Sequence, residues 1–149
     1  MSTQTIHTAN EQHASLAFSK QSTVFDALYS ENAIIQYKRK RVRSHVEKYI
    51  PAYSNILELN AGTGEDAIYF AQHRHTVHAT DISTGMQQEL KKKAYNAGLS
   101  TYISTEICSF TQLDKLADKG PYDLIFSNFA GLNCTGELNT VLKSFAPLL

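Results

Sequence analysis

Ile56-Leu-Glu-Leu-Asn-Ala-Gly-Thr-Gly64 is the stretch on which the reading of this chain turns. Asn55–Leu59 is a short apolar strand interrupted by one acid, Glu58, and the residues after it form a turn bearing two glycines. A helical stretch follows over Glu65–His73, then a second strand, Thr76-Val-His-Ala-Thr80. The alternation continues beyond it. Ser83 reads as the N-cap of a helix that buries Met86, Leu90 and Ala94 and that Gly98 terminates. Tyr102–Ile107 reads as a third strand and Tyr122–Ser127 as a fourth, with Thr135 capping a last helix that buries Leu138, Val141, Leu142 and Phe145. Strands alternating with helices make βαβ units, which predicts an α/β fold with a parallel sheet covered by helices. Right-handed crossovers leave a Rossmann-like, doubly wound arrangement, whose ligands lie beyond the carboxyl ends of the strands. The glycine turn falls at such an end.

Ahead of this core the sequence predicts two helices. Phe25, Leu28 and Tyr29 recur at helical spacing within Phe18–Tyr29, and Ile35, Val42, Val46 and Tyr49 share one face of Ala33–Ile50, which Pro51 ends. Residues 1–15 are polar and lack the apolar centre of a secretory signal, so they are expected to form a flexible N-terminus. Residues 16–149 then make one domain, with no repeat and no Gly-, Pro- or Ser-rich linker to divide it.

The 149 residues are 42% hydrophobic, enough for one core, and three prolines and seven glycines give no signature of disorder. Fourteen basic residues balance fourteen acidic ones, so no global field favours nucleic acid or an anionic membrane. No apolar run approaches the roughly 20 residues that span a bilayer. Cys108 and Cys134 fit neither a disulfide framework nor a metal spacing, and read as buried thiols of a reducing compartment, the cytoplasm.

The stretch Ile56–Gly64 resembles the first motif of class I S-adenosylmethionine-dependent methyltransferases, in which an acid stands two residues before a glycine-rich turn. Gly62 and Gly64 would remove the Cβ atoms that block a ligand lying against the turn. The resemblance implies that Glu58 orients the turn and the amino group of the cofactor's methionine end, with Asn60 and Ala61 beside it. Asn60 stands where the family usually has glycine, and asparagine tolerates a left-handed backbone. Asp81, 17 residues after Gly64, is implied to hold both ribose hydroxyls, with Ile82 and Met86 flanking the adenine. The blander reading of Asp81 is a residue that merely precedes a helix cap. Ser109 occupies a place where the family often has an aspartate on the adenine amino group, and Phe110 would add a backbone N–H. Tyr122–Asn133 resembles the fourth motif, whose Asn128 and Phe129 would line the methyl end of the pocket. Alternatively it is an ordinary buried strand with a polar loop.

Other features carry less. Lys38-Arg-Lys-Arg-Val-Arg43 reads as the solvated face of a helix, because Val42 sits in its apolar stripe; one of its arginines, or Tyr29, is a candidate lid over the cofactor's carboxylate. His73, His75 and His78 lack acids or cysteines at ligand spacing, so no metal is expected. No Ser-His-Asp or Cys-His order appears, and no residue is singled out as a catalytic base.

The expected function is therefore an S-adenosyl-L-methionine-dependent methyltransferase acting on an unidentified acceptor, a small molecule in preference to a macromolecule. Two alternatives stand beside it. One is an NAD(P)-binding Rossmann domain of an oxidoreductase, since Gly62-x-Gly64-x-x-Ala67 also fits the dinucleotide fingerprint. The other is a non-catalytic interaction module on a relic fold. Electrostatics disfavours the dinucleotide, whose pyrophosphate would meet Glu65 and Asp66 at the helix N-terminus. The family's sheet continues past four strands, whereas Ser144–Leu149 resembles the helix end before the fifth. A truncated sheet in the order 3-2-1-4 is thus expected: a cofactor-binding half, inactive alone, that forms a homodimer through the exposed edge at Tyr122–Ser127.

Overall fold

The computed structural model describes residues 3–149. Its elements run α1 (Thr3–Tyr29), α2 (Ala33–Val46), β1 (Asn55–Glu58), α3 (Glu65–Gln72), β2 (Thr76–Asp81), α4 (Thr84–Asn96), β3 (Ile103–Ile107), β4 (Leu124–Phe126) and α5 (Leu138–Lys143). Short 3₁₀ segments fill Phe110–Lys115 (kinked at Gln112), Gly131–Cys134 and Ala146–Leu148. The four strands are all parallel, in the order β3-β2-β1-β4. This is the α/β, Rossmann-like sheet that the alternation predicts.

β1 is central and has no solvent face. Ile56 and Leu57 are both fully buried but point to opposite sides, as the two-residue period of a strand requires. Ile56 joins a core with Ala67, Phe70, Val77, Leu90 and Phe126, under α2, α3 and α4. Leu57 joins another with Leu113, Leu116, Tyr122 and Leu148 on the far face. In register, Glu58 lies beside Ala79 of β2 and Phe126 of β4, so the acid sits where three strands end together. Among the described residues β4 pairs with β1 alone, which leaves its other edge unpaired.

Several boundaries differ from expectation. α1 extends back to Thr3, through most of the stretch expected to be flexible, and further along it Glu11 bonds the Ser109 region and Ser15 bonds Ile82. α2 ends at Val46; Val42 and Val46 pack on the core as expected, Ile50 joins them, and Tyr49 is 74% exposed. α4 follows expectation, with Ser83 as N-cap and Met86, Leu90 and Ala94 buried. In α5 only Val141 is buried, while Leu138 and Leu142 are 44% and 49% exposed. Thr135 accepts from the Glu137 N–H, and the N-cap itself is Glu137. Cys134 is exposed and Cys108 half-buried, which corrects the expectation of two buried thiols.

Candidate functional site

Beyond the carboxyl ends of β1, β2 and β4 lies a cleft of about 350 Å³. The turn after β1 forms its floor. Leu59 N–H bonds Phe126 O at 2.8 Å and Ala61 N–H bonds Thr80 O at 2.9 Å, so the turn is tied to both neighbouring strands. Asn60 adopts the left-handed backbone expected of it (φ 45°). Its side chain makes a second tie, accepting from Ser127 Oγ at 2.7 Å and donating to Asn128 O at 3.3 Å. Gly131 packs against that amide so closely that a Cβ there would lie 2.0 Å from Asn60 Nδ2.

The two glycines of the turn do different work. A Cβ on Gly62 would meet no atom within 4 Å, and the residue borders the cleft with Asn60 and Ala61. Gly64 does not line the cleft. At φ 84° it points into the core, where a Cβ would lie 2.5 Å from Leu90 Cγ of α4. Its absent side chain makes room for a helix, not for a ligand.

Glu58 lines the cleft at 3% exposure, and its Oε2 is buried without a hydrogen-bond partner among the described residues. Burial, reinforced by the nearby Asp66 carboxylate, holds its carboxyl well above the usual range, against the opposing pull of Arg39 and Arg43. A buried acceptor with nothing to accept from is costly, and a donor entering the cleft would relieve it. Asp81, also buried, accepts from Gly62 N–H through Oδ2 (2.9 Å) and from Ser83 N–H through Oδ1 (2.8 Å). Burial still raises its carboxyl, and these backbone donors pull the other way. Each oxygen retains a lone pair for another donor. Ile82, Met86, Ser109 and Phe110 continue the wall past Asp81.

On the other side, two arginines of the run at 38–43 converge on Asp66. Arg39 Nη1 meets Oδ2 at 2.8 Å and Arg43 Nε meets Oδ1 at 2.7 Å, with Asn128 Nδ2 joining Oδ2 at 3.1 Å. Arg39 stacks over Phe129 at 4.5 Å and Arg43 over Tyr69 at 4.6 Å. Two of the five basic residues of this run, Arg39 and Arg43, are therefore not on a solvated face. Arg39 is buried, lines the cleft, and leaves its Nε without a partner among the described residues. Asn128, Phe129 and Tyr29 line the cleft as well. Glu65 pairs with Lys93, so both acids at the start of α3 are compensated. The bare negative field expected to repel a pyrophosphate is thus partly cancelled, and the unpaired Glu58 carries that distinction in its place.

α1 closes the cleft from above with Glu11, Ala14, Phe18 and Phe25. It is fastened by Ser15 Oγ to Ile82 O (2.8 Å), Ser19 Oγ with Ser83 Oγ (2.8 Å), and Asp26 with Thr63 and Lys93. Gly85 permits the approach: a Cβ there would lie 2.9 Å from Ser19 Cα. Nothing in the local pattern marks Glu11 as a cleft residue or Asp26 as a fastening of α1. Two of the clustered histidines serve structure: His75 accepts from Ser54 N–H, and His78 lies between Ser104 and Glu106. No metal-holding group of His, Cys, Asp and Glu occurs among the described residues.

A parallel sheet ordered 3-2-1-4, with an acid, a glycine turn and a second acid ringing one cleft, is the class I methyltransferase fold. A family model described as a methyltransferase domain matches residues 56–149, and the chain belongs to that family. Solved structures agree on the fold. The [4+2]-cyclase SpnF superposes with a TM-score of 0.78 at 15% identity, over 93% of this chain and 56% of that one. A candidate S-adenosyl-L-methionine-dependent methyltransferase from Methanococcus maripaludis gives 0.73 at 16%, over 88% and 58%. A candidate sarcosine dimethylglycine methyltransferase from Galdieria sulphuraria gives 0.68 at 20%, over 77% and 43%. The chain thus spans about half the length of the structures it matches. No curated protein matches it, and no helix among the described residues is long and apolar enough to cross a membrane.

Proposed function

We propose that this chain binds S-adenosyl-L-methionine and forms the cofactor-binding portion of a methyltransferase whose acceptor is a small molecule. The observation that carries the reading is Glu58: a buried carboxylate, unpartnered at Oε2, facing a cleft. An ammonium group suits that atom, and a phosphate does not. The other residues fit the same molecule. Arg39 Nε is free to donate to a carboxylate, Asp81 keeps lone pairs for a vicinal diol, and Ile82, Met86 and Phe110 offer apolar surface to a flat ring.

When bound, the cofactor supplies an electrophilic methyl group on a sulfonium. This chain's residues hold and shield it: Glu58 and Arg39 grip one end, Asp81 the middle, and Asn128 and Phe129 wall the end of β4. α1 excludes water from above, which strengthens each polar contact beneath it. A cleft roofed in this way favours an acceptor of small size. Two free thiols suit a reducing compartment, the cytoplasm. The unpaired edge of β4 supports weak two-fold self-association, which light scattering over a dilution series measures.

The direct test is calorimetry with S-adenosylhomocysteine and NAD. Tighter binding of S-adenosylhomocysteine is expected. Binding of NAD alone would return the dinucleotide reading, and binding of neither would favour a relic fold used for interaction.

A further inference from the structure

We propose that Glu11, carried on α1, reads the amino edge of the cofactor's adenine and thereby sets the specificity for that base. The inference rests on the cofactor reading above. If Glu58 and Arg39 take the amino-acid end and Asp81 the ribose, the base falls beyond Asp81, among Ile82, Met86, Phe110 and Ser109. Three of these are apolar and suit the faces of a ring. Its polar edge needs an acceptor, because adenine presents an exocyclic amine there.

Ser109 is poorly placed to be that acceptor. It is the N-cap of the turn Phe110–Lys115 and accepts from Thr111 N–H at 3.1 Å. Ser109 Oγ lies 3.1 Å from Glu11 Oε1, Thr111 Oγ1 lies 2.9 Å from the same oxygen, and the two hydroxyls lie 2.8 Å apart, so their two protons are committed within this cluster. Both hydroxyls therefore serve to position Glu11, which borders the cleft and takes no described hydrogen bond at Oε2. Cys108, the other polar neighbour, has its thiol pushed up to about 11, chiefly by burial, and stays neutral. The carboxylate that this wall lacks at residue 109 thus arrives from the opposite wall.

The register of α1 makes the placement specific. Glu11, Ser15 and Ser19 recur every four residues and share one face of the helix. Ser15 bonds Ile82 O and Ser19 bonds Ser83, so Glu11 is set one turn further along, over the end of β3. A carboxylate accepts and cannot donate. It favours a 6-amino purine and repels a 6-oxo purine, whose oxygen presents only lone pairs.

Calorimetry with S-adenosylhomocysteine and its 6-oxo analogue, S-inosylhomocysteine, tests this on the wild type, Glu11→Gln and Glu11→Ala. The wild type should prefer the adenosyl ligand by roughly 10- to 100-fold. In Glu11→Gln the amide also donates, so the preference should collapse to within a few fold, through gained affinity for the inosyl ligand. Glu11→Ala should lose adenosyl affinity and, with the repelling carboxylate gone, gain rather than lose inosyl affinity. An unaltered preference in both variants overturns the proposal, and so does an equal loss for the two ligands, which would mark Glu11 as merely fastening α1. A wild type that binds neither ligand fails earlier, at the cofactor reading itself.

Discussion

The wall of the cleft made by β1, its turn and α3, and the wall made by α1, enclose one cavity by opposite means. The first is held by apolar burial and backbone ties: Ile56, Leu57, Ala67 and Phe70 are fully buried, and the turn bonds both neighbouring strands. The second is held by serines, one aspartate and the gap left by Gly85, while its large apolar residues face the cavity or the solvent. Polar fastenings of this kind are individually worth little, about 1 kcal/mol each. The sheet wall is thus built to persist without a ligand, and the α1 wall draws much of its apolar contact from whatever fills the cleft.

Four substitutions would break or sharpen that contrast. The largest effect belongs to Asp66→Ala, which leaves buried Arg39 and half-buried Arg43 without their shared carboxylate. A loss of about 3–5 kcal/mol is expected in urea unfolding. A loss below about 1 kcal/mol would mean that the two guanidiniums reach water at little cost. Next comes Gly64→Ala, which forces a left-handed alanine and drives a methyl into Leu90. It should cost about 2–4 kcal/mol, with part recovered in the double variant carrying Leu90→Ala.

Glu58→Gln comes third and has the opposite sign. A carboxyl whose folded pKa is raised holds its proton more tightly in the folded chain than in the unfolded one. Folding is therefore favoured below the unfolded pKa, loses stability as pH climbs toward the folded value, and bears the full penalty above both. The glutamine variant removes that penalty and should be about 1 kcal/mol more stable at neutral pH without ligand, while binding S-adenosylhomocysteine more weakly. A pH–stability profile unchanged by the substitution would refute the assignment. The smallest global effect belongs to Gly85→Ala. It should lower whole-domain stability by less than about 1 kcal/mol, yet expose the amides of α1 to hydrogen exchange. Equal loss of protection in α1 and β1 would show that the two walls unfold as one.

The sheet was legible because its signals are local: a strand period, a capping serine and a terminating glycine can each be read within a few residues. Glu58, Asp81 and Asn60 were legible for a related reason, since a strand end and a turn dictate which residues border the cleft. What escaped depends on contacts distant in sequence. The role of Gly64 is set by Leu90, and nothing between them announces that meeting. Arg39 and Arg43 look solvated until Asp66 is brought beneath them. The Glu11–Ser15 part of α1 docks through a carboxylate and a hydroxyl with no apolar stripe, so a search for hydrophobic periodicity reads it as frayed. Tyr49, Leu138 and Leu142 err the other way: they fit the helical period yet remain exposed.

Asn60 and Gly131 carry a consequence for how this sequence can drift. The amide of Asn60 fills the space where residue 131 would place a side chain, and in return it fastens the loop after β4. Any larger residue at 131 must first evict that amide, whereas a glycine at 60 would free position 131 at once. The two positions should therefore change together in the descendants of this chain. Asparagine with glycine forms one permitted pair, and glycine with a broad choice of residues forms the other. A tree of such sequences should show the change at 60 on an earlier branch than any at 131, because only that order avoids an intermediate with two groups in one place.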